Sequence, residues 1–241
     1  VNTDNTAAKQ DLSPDVKAGI RKRVSQIIFV VFLMGALMFI SAGRLDWIWA
    51  WIYLAFYSVL VVINGVSLLR KNPELVAERA GGKEDTKDWD RRITRITASF
   101  WFLQFIIAGL DIRFGWTGGL PLWVHMIGAL LLVAGNAFAN WAMHTNAFFS
   151  TEVRIQEDRG QTVITQGPYQ YVRHPGYTGF SVAAIGLPLF LGSLWALLPT
   201  FGMVAGMIVR TSLEDRTLQD ELPGYKEYTA EVHYRLCPGV W

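Results

Sequence analysis

From Tyr177 to Val209 the chain runs for 33 residues without a charged side chain. Inside a bilayer, backbone polar groups must be satisfied within the segment itself, so such a run reads as helix. About 20 apolar residues in a helix cross the roughly 30 Å hydrocarbon core. The run is therefore too long for one crossing. Pro188 and the Gly192-Ser193 pair offer the break, which gives two short helices at about 176–191 and 194–212. Val24–Ala42, Trp47–Leu69 and Leu120–Met143 are uncharged for 19, 23 and 24 residues, with His125 taken as neutral. Ile96–Leu110 extends to Phe114 if Asp111 and Arg113 sit at its end. The expectation is an all-α integral membrane protein of about six transmembrane helices, the last two forming a helical hairpin.

Composition narrows the alternatives. Only 17% of the 241 residues are charged, against about 25% in an ordinary soluble domain. That disfavours a disordered chain or a typical cytosolic enzyme. A single cysteine, Cys237, excludes an intrachain disulfide and any Cys-based zinc cluster. A net charge of +2 gives no reason to expect a nucleic-acid partner.

Charge placement orients the helices. The first 23 residues hold five Lys/Arg, segment 70–95 holds eight, 144–175 three and 210–241 four, while only Arg44 and Arg113 fall on the other side. Twenty against two is a strong positive-inside bias, which places both termini in the cytoplasm. Residues 1–23 are polar and read as a cytoplasmic arm rather than a signal peptide, with the first crossing kept as an anchor. Residues 24–241 then form a single membrane domain, and the pattern fits a bacterial cytoplasmic membrane best. Trp47, Trp49, Trp51, Trp116 and Trp123 fall near expected interfaces. Segment 70–95 reads as a charged loop with a short amphipathic helix around Pro73–Ala80.

Chemistry-bearing residues concentrate after the fourth crossing. Before it, Asp111 reads either as an interfacial carboxylate paired with Arg113 or water, or as the mark of a pathway. Asn136, Asn140 and His144 share one helix face, as interhelical hydrogen bonding or as the wall of a polar cavity. After it, Val153–Gln156 and Gln161–Ile164 alternate in polarity around a turn at Glu157–Gly160, which suggests a hairpin-like insert. The stretch Tyr169–Gly179 enters the fifth crossing, with Pro175 suited to a first helical turn. Arg173 and His174 would sit at the positive end of that helix, where an anionic group is well received. Arg210 and Glu214 share a helix face at the same boundary, and Tyr225, Tyr228 and Val232 mark an amphipathic helix able to lie on the membrane surface. Gly202-x-x-x-Gly206 permits close helix contact. No second His or Cys stands at metal-ligand spacing from His174, so no metal site is expected.

The run Gly167-Pro-Tyr-Gln-Tyr-Val-Arg-His-Pro-Gly-Tyr-Thr-Gly179, followed by Glu214-Asp215-x-x-Leu218 and Tyr225-x-x-Tyr228-x-x-x-Val232, resembles the isoprenylcysteine carboxyl methyltransferase family. Its wider group includes phospholipid methyltransferases. The resemblance spans about 130–241. It implies an S-adenosylmethionine-dependent transferase acting at the cytoplasmic membrane face on a lipophilic or small acceptor. By the same resemblance, Gln156, Gln161, Thr162, Val163 and Ile164 contact the cofactor, as do Tyr169, His174, Pro175, Gly176, Tyr177 and Glu214. Arg210 is implied to orient the substrate. Glu214 suits the cofactor ammonium, His174 or a helix-start N–H its carboxylate, and the insert's backbone edge its adenine. The face of Tyr169 or Tyr177 suits the sulfonium. Two other readings stand beside this one. Membrane sterol reductases, which use NADPH, share an Arg-His-Pro-x-Tyr-x-Gly element and a C-terminal Tyr-Arg-x-x-Pro, here Tyr234–Pro238. A non-catalytic scaffold would keep the fold without the chemistry.

Overall fold

The computed structural model describes residues 12–71, 73–81 and 86–241. The first eleven residues of the expected N-terminal arm lie outside them. Among the described residues eight α-helices follow in order: α1 (Pro14–Ala42), α2 (Ile48–Lys71), α3 (Pro73–Glu78), α4 (Asp88–Phe114), α5 (Leu122–Thr145), α6 (Pro175–Leu191), α7 (Leu197–Glu221) and α8 (Tyr225–Glu231). Among the described residues there is no strand. Helices α1, α2, α4 and α5 are each long and apolar enough to cross a bilayer, and α6 is a shorter apolar helix. The chain is a multi-pass membrane protein.

Helix ends follow local chemistry. Ser13 caps α1 by accepting the Val16 N–H, and Pro14 opens the first turn. This helix begins ten residues before the apolar run, so Pro14–Arg23 is helical and continuous with the crossing. Likewise, the last eight residues of segment 70–95 are the opening turns of α4 rather than loop. Pro175 opens α6, and Gly192 closes it in the left-handed region at φ 87°. The break between the last two long helices therefore falls at Gly192-Ser193, with Pro188 inside α6.

Packing is tightest between α5 and α6. A Cβ on Gly135 would stand 2.6 Å from the Gly179 carbonyl oxygen, and one on Gly186 would stand 2.7 Å from that of Gly128. The helices can touch backbone to backbone only because these four positions lack side chains. Gly202 and Gly206 bring α7 equally close to Phe100 and Thr97 on α4. The apolar core gathers Met34, Met38, Tyr53, Phe105, Leu187 and neighbours from the crossing helices.

Several expectations are corrected. Asp111 is buried and does not pair with Arg113; it accepts hydrogen bonds from Thr117 N, Thr117 Oγ1 and Ser193 Oγ at 2.5–2.7 Å. It ties the end of α4 to the α6–α7 turn, away from the cavity described below. Trp51, Trp116 and Trp123 are exposed, as an interfacial belt requires, but Trp47 is buried and Trp49 stacks on His125. The insert between α5 and α6 is not a hairpin. Its turns are 3₁₀ segments at Glu157–Arg159 and Gly167–Gln170. The apolar face of α8 packs inward: Tyr225 and Tyr228 are buried against Leu222, Ile155 and Val163. The apolar stripe read as a lipid-facing one covers the insert instead.

Candidate functional site

The insert, the start of α6, the end of α7 and α8 enclose one side of a cavity of about 580 Å³. Its other side is formed by α1, α2 and α5, with Ile27, Leu60, Val61 and Leu68 among the apolar residues there. One arm is thus polar and the other largely apolar. The face of α5 expected either to bond between helices or to line a cavity lines the cavity, and the bond that Asn136 makes stays within α5. Asn136 donates to the Leu132 carbonyl and lines the cavity beside Asn140, whereas His144 is not part of the wall.

Most residues implied by the resemblance meet at the polar arm. Gln156, Gln161, Thr162, Val163, Ile164, Tyr169, His174, Gly176, Tyr177, Arg210 and Glu214 all line the cavity; Pro175 is buried at the start of α6 and does not. Gln156 is committed to the scaffold: its Nε2 donates to Phe148 O, and its Oε1 accepts from Arg159. That locks the insert and lets the next strip run past the cavity. Among the described residues, the N–H and C=O groups of Thr162, Val163 and Ile164 have no partner in the chain.

Glu214 and Tyr177 face each other across α7 and α6, the phenol donating to Glu214 Oε2 at 2.6 Å. Glu214 forms no ion pair with a described residue. Arg210 lies over the Tyr177 ring, 5.3 Å from its centroid. Its charge is balanced: Nε and Nη2 donate to the Asp90 carboxylate at 2.6 and 3.2 Å, and Nη2 also donates to Thr151 O. Gly176 is a close-approach point, because a Cβ there would meet the Phe149 ring at 2.7 Å. The Gly176 N–H, at the first turn of α6, has no backbone partner.

Behind this wall stands a hub that residue order alone does not reveal. Asp215, fully buried, accepts from Arg173 Nε and Nη2, Arg235 Nε, Gln219 Nε2 and Tyr225 Oη at 2.8–3.1 Å, with His174 Nε2 at 3.3 Å. Burial acts to raise the Asp215 carboxyl, but hydrogen bonds from His174, Arg235 and Arg173 outweigh it and hold the group well below the usual carboxylate range. Arg173, expected to face a ligand, is instead consumed by Asp215 and by the Val232 and His233 carbonyls. Burial pushes the phenols of Tyr169, Tyr225 and Tyr228 up, so all three are neutral; Tyr225 and Tyr228 donate, while Tyr169 Oη accepts from Asn146 Nδ2. Tyr228 donates to Tyr169 O at 2.6 Å, which ties α8 to the mouth of the cavity. Asp90 and Arg235 were not anticipated as site residues. Their signal was weak, since one sits in a charged segment and the other in the tail.

A model of the isoprenylcysteine carboxyl methyltransferase (ICMT) family matches residues 126–220. Over that segment the chain is similar to the isoprenylcysteine carboxyl methyltransferase family. A mouse protein-S-isoprenylcysteine O-methyltransferase is 30% identical over 101 residues, which cover 42% of this chain and 34% of that one. One from Dictyostelium discoideum is 29% identical over 118 residues, 47% of this chain and 49% of that one. The mammalian matches thus span about a third of their proteins' length. A solved structure of the eukaryotic intramembrane Ras methyltransferase ICMT superposes with a TM-score of 0.44 at 16% identity, covering 92% of this chain and 96% of that chain. The family segment runs from α5 through most of α7. It supplies the polar arm except α8, while Asp90 and most of the apolar arm come from helices outside it.

Proposed function

We propose that the chain is an S-adenosylmethionine-dependent methyltransferase that acts on a lipophilic acceptor at the cytoplasmic face of its membrane, read as a bacterial cytoplasmic membrane. The observation that carries this reading is the pairing, in one cavity, of the unpaired Glu214 carboxylate and the unpartnered backbone strip 162–164 with an apolar arm between helices. The residues fit the cofactor's chemistry. Glu214 would take the ammonium, with Tyr177 fixing the carboxylate rotamer through its 2.6 Å hydrogen bond. The free N–H of Gly176 and the His174 ring would face the carboxylate. The strip Thr162–Ile164 offers unpartnered backbone donors and acceptors to a flat heterocycle edge.

When bound, S-adenosylmethionine supplies an electrophilic methyl on a sulfonium, which passes to an acceptor lone pair as the S–C bond breaks and needs no metal. The protein's part is positioning and exclusion of water. Phe149 and Phe148 close the wall beside Gly176 and the insert. The Tyr177 ring, already holding a guanidinium on one face, is suited to a cation. Arg210 has its charge balanced by Asp90, but its Nη1 has no partner among the described residues, so it orients an acceptor oxygen as a hydrogen-bond donor. The acceptor enters from the apolar arm, and isoprenylcysteine-type carboxylates are one class that fits it.

Equilibrium binding to the detergent-purified protein tests this directly. S-adenosylmethionine and S-adenosylhomocysteine should bind, and Glu214→Ala and His174→Ala should each weaken them about tenfold or more, the loss expected for an unpaired charge or buried donor. Wild-type affinity in both variants would sink the site assignment. Binding of NADPH alone would replace the methyltransferase with the reductase reading.

A further inference from the structure

Among the described residues, two guanidiniums in the cavity have no counter-charge. Arg23 stands at the head of the apolar run of α1, and Arg79 follows α3; both are half-buried and line the same cavity. Among the described residues neither has a carboxylate within 4.0 Å. Every other arginine on the cavity wall is paired: Arg154 with Asp158, Arg173 with Asp215 and Arg210 with Asp90. The hydrogen bonds of the unpaired two are also incomplete. Arg79 Nη2 donates to Phe149 O at 2.8 Å, but Nη1 reaches only the weakly accepting Met143 sulfur, and the buried Nε has no partner. Arg23 makes only long contacts through Nη1, to Gln26 Oε1 at 3.5 Å and Arg79 O at 3.4 Å. Burial, with repulsion from Arg23 and Arg159, pushes the Arg79 guanidinium down to about 10. A buried cation normally has a partner, and a planar guanidinium with free donors suits a bidentate oxyanion.

We infer that Arg23 and Arg79 form an anion-receiving subsite, which takes the carboxylate or phosphate headgroup of a single-chain amphiphile whose tail lies along Ile27, Leu60, Val61 and Leu68. The pair sits where α1 meets the α3 turn, and Gln26 Nε2 holds that turn through the Ala80 carbonyl at 3.1 Å. Both arginines lie outside the segment matched to the family, so the subsite belongs to the part of the chain that distinguishes it. It also complements Arg210, whose charge Asp90 already neutralises. The inference rests on the proposed reading of the apolar arm as the acceptor's entry. It assigns the acceptor an acidic head, whether or not that head accepts the methyl group.

The test is equilibrium binding to the full chain in detergent of oleate, oleoyl lysophosphatidate, uncharged oleyl alcohol and inorganic phosphate, with S-adenosylhomocysteine measured in parallel. One or both acidic lipids should bind at least about tenfold more tightly than oleyl alcohol. Arg23→Gln and Arg79→Gln should each remove most of that advantage and leave oleyl alcohol and S-adenosylhomocysteine unchanged. Arg79→Lys, which keeps the charge, should retain part of it and guards against a folding artefact. Equal binding of alcohol and acids overturns the subsite. So does equal loss of every ligand in the glutamine variants. Inorganic phosphate binding as tightly as the lipids, with the same arginine dependence, overturns the lipid-headgroup assignment in favour of a free-anion site. Failure of S-adenosylhomocysteine to bind the wild type would sink the methyltransferase reading while the lipid series still decides the anion subsite.

Discussion

Glu214 and Asp215 are chain neighbours with opposite roles. One helical step turns Glu214 toward the cavity, where Tyr177 is its hydrogen-bond donor and no described cation pairs with it. The same step turns Asp215 inward, against donors from the segment just before α6, from α7 and α8, and from the C-terminal tail. Substituting each should therefore read out differently. Asp215→Asn leaves Arg173 and Arg235 without a counter-charge and should cost about 3–5 kcal/mol, the range for breaking a buried pair, seen as a lower thermal midpoint in detergent. Because the folded-state pKa is depressed, the stabilisation is complete above the ordinary carboxyl value of about 3.9 and is lost as pH falls below it. Midpoints followed from neutrality down to about pH 3 should show an acid limb that is flattened in the asparagine variant; an identical limb would show that Asp215 is not the titrating group. Glu214→Gln should instead leave the midpoint near wild type and weaken adenosyl-ligand binding. The sequence marks both residues, but which one faces the cavity depends on Arg235, twenty residues further on, and on Arg173 before α6.

At the scale of elements, the pairing of α5 with α6 holds the site together, because α5 leads into the insert and α6 opens at its far edge. Gly135 and Gly179 meet where neither tolerates a methyl group: a Cβ on Gly179 would stand 2.5 Å from Gly135 O. Gly135→Ala and Gly179→Ala should each cost about 1–3 kcal/mol, the usual penalty for overpacking. Gly65→Ala on α2, with nothing within 4 Å of the added atom, should be neutral or slightly stabilising. Equal midpoints for all three variants would show that the helices part easily. The helices themselves are legible as uncharged runs, since bilayer length and backbone satisfaction leave few options. Their pairing is not, because the glycines that decide it meet only in three dimensions. The insert shows the converse failure. Val153–Gln156 and Gln161–Ile164 alternate like strands, but Gln156 bonds to Phe148 and Arg159 and folds the segment on itself, leaving its edge free for the cavity. Tyr225 and Tyr228 were read as a lipid-facing stripe because a helical period states only that one face is apolar, not what covers it.

For the molecule as a whole, the decisive sequence signal is charge placement, and it yields a prediction about every loop at once. By sequence, 20 of the 22 Lys/Arg fall in the segments whose charge bias assigns them to one side, the same segments that hold the insert and α8. The remaining two, Arg44 and Arg113, flank the turns at the opposite ends of α1 and α4. If the bias sets orientation as it does for short loops, a soluble cofactor reaches the polar arm from the cytoplasm. A lipid acceptor reaches the other arm from within the bilayer. Cys237, exposed and the sole cysteine, is a natural reporter of that arrangement. A membrane-impermeant maleimide should label it in inverted vesicles and not in intact cells. Leu45→Cys, at an exposed position in the α1–α2 turn, made in a Cys237→Ser background, should give the reverse pattern. Labelling of Cys237 from outside intact cells would invert the topology and place the cavity's polar arm away from the cytoplasmic cofactor pool. The same accessibility in both positions would show that α1 does not cross, and with it the apolar arm would lose its bilayer entry.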